Sequence, residues 1–498
     1  MKSASEILKA SIQKDMAEMV EQVSGAAVKQ ATADQVERSL LKFLLQLGAK
    51  LLTLFFVVRS QACERSSYSG QDGQTYGYQG ERKRNYGSIF GVVPLVRPYF
   101  YKAEVGGIAP LDAALSLGEA SQSDLVREVS ELLSVSHVYH ESSETLAHLF
   151  GLSLSTRSIA AHMGEDASDV EAYYQQKIAP EAQSEAALLV IQADGKGVPM
   201  IQPPPAETKV RLSKGEKRGR KQEAIVTTVY TIAPAVRTPQ AVVDSLFATN
   251  PSAAPASSQR STPQHKHLWA TLDGKDTALE RLTSHVQARQ GDHIQQRLAL
   301  CDGCEALQTR LAHYFPDFTR ILDFFHANEY LWDTATALFG ETNPERLSWM
   351  QTHTLQLLAS HTETLIAELR QRTLDSVTTP AQRRQLEKTA NYFTRNLPFM
   401  DYAAYLDKGW PIASGVIEGA CRHFVKDRCE LSGMSWSQPG VEALLRLRAV
   451  AENHDWHDYH AFRKRQRHQR LYGSTPEPSQ PLEFLSLDFA QGCSFSLN

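Results

Sequence analysis

Between residues 187 and 325 the chain alternates β-branched apolar runs with helical spacings in an order that leaves few ways to fold. Runs at 187–193, 223–232 (EAIVTTVYTI) and 267–272 (HLWATL) read as three strands. A helical pattern over 277–290 follows, then a strand ending at Asp302, a helix spaced on Leu307, Leu311 and Phe315, and a strand over 320–325. This β-β-β-α-β-α-β succession predicts an α/β core with a mixed sheet.

Three acidic residues, each followed by glycine, stand at informative places: Asp194 in AALLVIQADGKGVPM, Asp302 in RLALCDGCEAL and Glu418 in ASGVIEGACRHF. The first two close apolar runs, so each carboxylate emerges at a strand end; Glu418 lies in the opening turns of a helix for which Ser414 is the expected N-cap. An isolated Asp-Gly is most often a turn. Two strand-end carboxylates facing a helical one can also hold two divalent cations, which stabilise the attacking and leaving oxygens of phosphoryl transfer.

The chain has 498 residues, 42% of them apolar, enough for several cores. Its formal charge of −4 argues against a uniformly basic nucleic-acid binder, so phosphate contacts must come from local patches. The six cysteines show no disulfide rhythm, which fits a reducing cytoplasm; Cys301 and Cys304 form one C-x-x-C without a second pair, a poor zinc site. Residues 40–58 are apolar, but Lys42, Gln46 and Lys50 recur every four residues, the pattern of a buried or oligomeric helix rather than a membrane span. Residues 1–38 are charged and helical in pattern, and no export signal is expected.

Composition divides the chain into a helical region (1–60), a turn-rich segment ending in a hairpin over SIFGVVPLVRPYFY (61–109), a helical region (110–180), the first part of the core (181–325), a helical insertion (326–408), the Glu418 helix region (409–460), and a basic then flexible tail (461–498). The N-terminal part is thus expected to be mainly helical. Within 142–164, SSETLAHLFGLSLSTRSIAAHMG has the form of a helix-turn-helix with Gly151 at the turn and Ser155 as cap, or of an ordinary αα-hairpin. In the first case Arg157 and Ser158 are the exposed readers of DNA, with Leu149, Leu154 and Ile159 packed behind. Residues 234–264, rich in Ala, Pro and Ser, read as a surface loop without a core.

Lys214, Lys217, Arg218, Arg220 and Lys221 crowd a loop entering the second strand, either a solvated face or a phosphate contact beside Asp194 and Lys196. Arg422 and Lys426 follow Glu418 at i+4 and i+8, with His423 and Arg428 on adjoining stripes, so cations suited to DNA phosphates would flank the carboxylate.

The stretches QADGKGVPM, LCDG with LDFFHANEYLW, and ASGVIEGACRHFVKDR with SGMSW resemble the catalytic blocks of bacterial insertion-sequence transposases of the Kra type (ISKra), relatives of the Mutator-like DDE group. The likeness runs over 94–454, including RPYFY and APLDAALSL. It implies an RNase H-like core and a DDE transposase that binds double-stranded DNA as a homo-oligomer in the bacterial cytoplasm, away from any membrane. Asp194, Asp302 and Glu418 match the acidic triad, which would hold two Mg²⁺ or Mn²⁺ ions. Asp323 and His326 match the D-x-x-H pair after the second acid, and with His423 they are auxiliary candidates. The resemblance departs at the N-terminus, where relatives carry paired cysteines and this chain has Cys63 alone. Two rivals stand beside the transposase: an RNase H-fold nuclease without strand transfer, and an inactive, transposase-derived DNA-binding regulator.

Overall fold

The computed structural model describes residues 3–25, 29–70, 73–202, 221–248, 261–431 and 433–473. It is an α/β protein that divides into two compact units: Met1–Glu128 with Ala147–Leu152 and His460–Asn498, and Val129–Leu146 with Ser153–Tyr459.

In the first unit, helices Ala4–Ser24 and Ala33–Gln61 each begin with a capping box, Ser3 with Glu6 and Thr32 with Gln35. The second is the one described helix long and apolar enough to cross a membrane. Of its polar stripe, Lys50 pairs with Asp15 and donates to Ser11 Oγ at 3.1 Å, whereas Lys42 and Gln46 are exposed. Leu44, however, remains 56% exposed. The sheet of this unit has the order β1 (Ser67–Ser69), β2 (Thr75–Ser88), β3 (Gly91–Lys102), β4 (Gly106–Ile108). The expected hairpin is therefore longer than its sequence signal: one continuous β2 occupies most of the segment read as turns and short strands, and Ser88 pairs with Gly91 around Ile89 and Phe90. Tyrosines alternating with polar residues made β2 resemble turn composition. Tyr76 is nevertheless buried, and Phe100 packs on Tyr68 and Tyr78.

The second unit is built on a five-stranded sheet of order β7 (Gln264–Thr271), β6 (Lys221–Ile232), β5 (Leu188–Pro199), β8 (Gln296–Cys301), β9 (Thr319–Leu322). β6 is antiparallel to β5 and β7, and β8 is parallel to β5 and β9. Both faces are buried because β5 alternates sides, as strand geometry requires. Leu188 and Val190 join Leu298, Leu300 and the helices from Phe324 onward, while Leu189, Ile191 and Ala193 pack with Leu279, Leu282, Leu307 and Leu311. Each such side chain contributes about 1.5–3 kcal/mol by leaving water.

Two sequence assignments are corrected, and a third is met except at one residue. The last strand ends at Leu322: Asp323 caps the helix Phe324–Phe339 by accepting from the Phe325 N–H at 2.7 Å, so Phe324 and Phe325 open that helix. The segment read as a surface loop contains helix Pro239–Leu246, whose Val243 enters the core, although residues 249–260 lie outside the described residues. Finally, Tyr139–Phe150 and Thr156–Asp166 are helices with Gly151 at φ +67 between them and Ser155 as N-cap, as expected. Leu154 and Ile159 are buried, but Leu149 is 48% exposed, because the preceding helix turns that position outward.

Candidate metal centre at the strand ends

Strand register gathers the acidic residues. Gln192 pairs with Leu300, and Cys301 with Leu322. Asp194 is not at a strand end as expected but inside β5, paired with Val226 and five residues before Pro199, while Asp302 and Asp323 directly follow the ends of β8 and β9; extending the two pairings by two residues and by one sets the three level with one another. Adjacent strands lie about 4.8 Å apart. By strand alternation all three share the face of Val190, Leu300 and Ile321.

Glu418 reaches that face on helix Gly415–Ala420. The buried Gln192, two residues before Asp194, fixes the approach: its Oε1 accepts from the Ile417 N–H at 2.9 Å, and its Nε2 donates to Tyr230 Oη at 2.9 Å. Sequence reading missed Gln192, although a lone amide inside an apolar strand was the available signal. Ser414 also differs from its expected role. Its hydroxyl makes no helix cap but is donated to Asp323, with Glu418 Oε1 at 3.2 Å, so it spans two carboxylates.

Ligand atoms of Asp323, His326 and Glu418 all lie within 4.8 Å of one another, a group that could hold a metal ion. Burial, with the negative charge of Glu418 added, pushes Asp323 up to about 7 despite N–H groups from Phe325 and Ser414 that favour its ionised form. Two carboxylates close together, Asp323 buried and Glu418 exposed, with a half-buried histidine beside them, fit a metal ion. The carboxylates suit Mg²⁺ or Mn²⁺, and the imidazole nitrogen favours the latter.

Asp194 and Asp302 flank this group without joining it. Asp194 Oδ1 accepts from the Gly195 N–H at 2.6 Å, and its Oδ2 receives the Cys421 thiol at 3.3 Å. That thiol is raised by burial and by Asp194 itself. Asp302 Oδ1 accepts from the Cys304 N–H at 3.0 Å. Behind it the Tyr392 ring covers Gly303 so closely that a Cβ there would meet ring carbons at 2.4 Å. Arg395 donates to the Gly303 carbonyl at 2.7 Å, which anchors the turn to helix Pro380–Asn396.

The expected DNA-contacting cations fare unequally. Arg157, Arg422 and Lys426 are exposed, and Lys196 is half-buried beside Cys421. His423 is exposed and meets Asp427 Oδ2 at 2.9 Å. Lys221 forms an ion pair with Glu430. Lys214, Lys217, Arg218 and Arg220 lie outside the described residues. Arg428 requires correction, because it is 1% exposed, donates to the Ser134 carbonyl at 3.0 Å and packs against both the Tyr139 and Trp436 rings. A π-helical stretch, Cys421–Lys426, precedes it. Its wider turn breaks the i+4 projection from which an outward side chain was expected.

The chain matches no protein-family model and no curated protein.

Proposed function

We propose that this protein is a metal-dependent DNA strand-cleaving and strand-transferring enzyme of the DDE transposase type, on an RNase H-like core. One observation carries the reading: strand register sets Asp194, within β5, level with Asp302 and Asp323 just past β8 and β9, with Glu418 brought to the same face by the Gln192 clamp. The strand order, with the antiparallel second strand and two parallel crossovers, supports the RNase H-like assignment.

Asp194, Asp302 and Glu418 are the proposed acidic triad, and Asp323 with His326 adds donors beside Glu418. Divalent ions held there supply Lewis acidity to the scissile phosphate and to the attacking water or 3′-hydroxyl. Gln192 holds the Glu418 helix against β5, while Ser414 shares its proton between Asp323 and Glu418 and steadies both carboxylates. Arg422 and Lys426, exposed beyond Glu418, hold the DNA backbone. Double-stranded DNA is the proposed partner, and a homo-oligomer on DNA the proposed working form.

Purified protein incubated with Mg²⁺ or Mn²⁺ and DNA carrying the ends of its own element tests this. Nicking at those ends followed by joining to a second duplex is the expected result. Cleavage without joining would reduce the function to a nuclease, and neither activity in the intact protein would overturn the reading.

A further inference from the structure

At the opposite end of the same sheet, the start of β7 and helix Lys275–Ala288 border a cavity of about 770 Å³. The register separates it from the acids: β7 begins where Gln264 pairs with Thr231, which lies opposite Leu189, five residues before Asp194. Its walls carry Lys177, Lys266, Arg281 and Arg289 against Glu171 and Glu280, with His267 and His285 between them.

The hydrogen bonding there is short of an acceptor. Asn453 is oriented by Leu268, whose N–H it accepts at 2.8 Å and whose carbonyl it donates to at 3.1 Å, so its Nδ2 is the group 3.0 Å from His267 Nδ1. The other ring nitrogen, Nε2, lies 3.4 Å from Arg281 Nη1, also a donor. His267 is held neutral, far below the usual histidine range, by burial and by His285, Arg281 and Lys177. A neutral imidazole offers one lone pair and one N–H, so one of the two contacts sets donor against donor. Arg281 Nη2 is buried without any hydrogen-bond partner, although Nε meets Glu171 at 3.1 Å and the guanidinium lies over Trp269. His285 stacks on His267 at 4.1 Å, and burial with Arg281 and Lys177 pushes it down to about 3. Burial, with cations beside them, keeps both imidazoles uncharged, while Lys177, Arg281 and Arg289 are already paired with Asp455, Glu171 and Glu185, so what the cavity lacks is a hydrogen-bond acceptor between Arg281 and His267 rather than counter-charge.

We propose that this cavity binds the phosphate group of a small phosphorylated molecule. A phosphate oxygen beside Arg281 and His267 supplies the missing acceptor, and the exposed Lys266 approaches from the rim. A monoester is favoured over a DNA phosphodiester because its second negative charge can be met by the exposed Lys266 while another oxygen accepts from Arg281 and His267. The space exceeds a bare phosphate, and Ile178, Ala179 and Pro180 give the organic part an apolar wall.

Calorimetric titration of the full chain, in EDTA so that the acidic end holds no metal, with AMP, inorganic phosphate or a short DNA duplex, tests this. Saturable binding of AMP at micromolar to millimolar affinity is expected, weakened about tenfold or more by Arg281→Gln, in keeping with the loss of one charge-assisted hydrogen bond. Lys266→Ala, at an exposed site, should fold normally and weaken binding about threefold, so the test survives if the Arg281 variant does not fold. Asp323→Asn should leave AMP affinity unchanged, which separates this site from the proposed metal centre. No saturation by AMP or phosphate, unchanged affinity in both cavity variants, or binding of the duplex alone would overturn the proposal.

Discussion

The two ends of the five-stranded sheet both crowd ionisable side chains together, and they hold them in opposite ways. At the N-terminal end of β5 the charges are matched: Glu185, with a 1% exposed side chain, is shared between Arg289 and His293, and Arg289 also donates to the His265 carbonyl at 2.9 Å. At the C-terminal end, Asp323 and Glu418 stand together with Asp194 and Asp302 flanking them and no equivalent buried ion pair among the described residues, and burial with Glu418 beside it raises Asp323 to about 7. A buried charge with partners holds a fold together, whereas like charges left together weaken it and persist where a ligand uses them. The contrast separates structural from functional ionisable groups more sharply than burial alone.

The largest effect that could break this contrast is on activity. Glu418→Gln, Asp194→Asn and Asp302→Asn should each reduce metal-dependent DNA cleavage to background. Glu418→Gln should also leave the Tm in EDTA unchanged or higher, because it removes the charge facing Asp323. Nicking assays beside thermal melts check both halves. Cleavage that survives in one variant removes that residue from the triad, and a large fall in Tm would make Glu418 a structural charge.

At the other end the expected effect is on stability. Glu185→Ala leaves Arg289, only 5% exposed, without its carboxylate and should cost about 3–5 kcal/mol in urea unfolding, with cleavage per folded molecule retained. A loss within 1 kcal/mol would mean that the matched end contributes no more than a surface ion pair.

Much of this arrangement was legible in the sequence where periodicity and chemistry agree. The strands carrying Asp194 and Asp302 are continuous apolar runs because the sheet is covered on both faces, and the acids mark where those runs stop. Asp323 was harder to read. LDFFHANEYLW stays apolar across the junction, so the change from strand to helix at Asp323 leaves no break in hydrophobicity, and only a capping aspartate signals it. Arg428 was misread because charge predicts exposure only while the helix keeps its period, and the π-helical stretch before it shifts the face. The cavity with His267 and His285 joins residues from β7, helix Lys275–Ala288 and the segment after Tyr174, a convergence that no local spacing announces.

A third measurement sharpens the comparison through pH. Because Asp323 is raised above an ordinary carboxylate, the folded protein keeps a proton that the unfolded chain has released between about pH 4 and 7. Its contribution to stability is therefore present below about pH 4, falls as pH rises through about 7, and changes no further above that. A cation bound by Asp323, His326 and Glu418 requires the ionised form, so the rise in Tm on adding Mn²⁺ should be small at pH 5.5 and several-fold larger at pH 8. An equal rise at both pH values would exclude Asp323 from the ligand set.

The smallest expected effect distinguishes two arginines six residues apart that look alike in sequence. Arg422 is exposed beyond Glu418, so Arg422→Ala should leave stability within about 0.5 kcal/mol. It should weaken binding to all DNA sequences alike and lower the slope of log affinity against log salt by about one, the signature of a single lost phosphate contact. Arg428→Ala should do the reverse: it strands the Ser134 carbonyl and removes the guanidinium packed against Tyr139 and Trp436, lowering stability while the salt slope of the folded fraction stays unchanged. Fluorescence anisotropy across a salt series, read beside urea unfolding, tests the pair. An unchanged slope for Arg422→Ala would take the DNA path off this helix and return it to the basic loop ahead of β6.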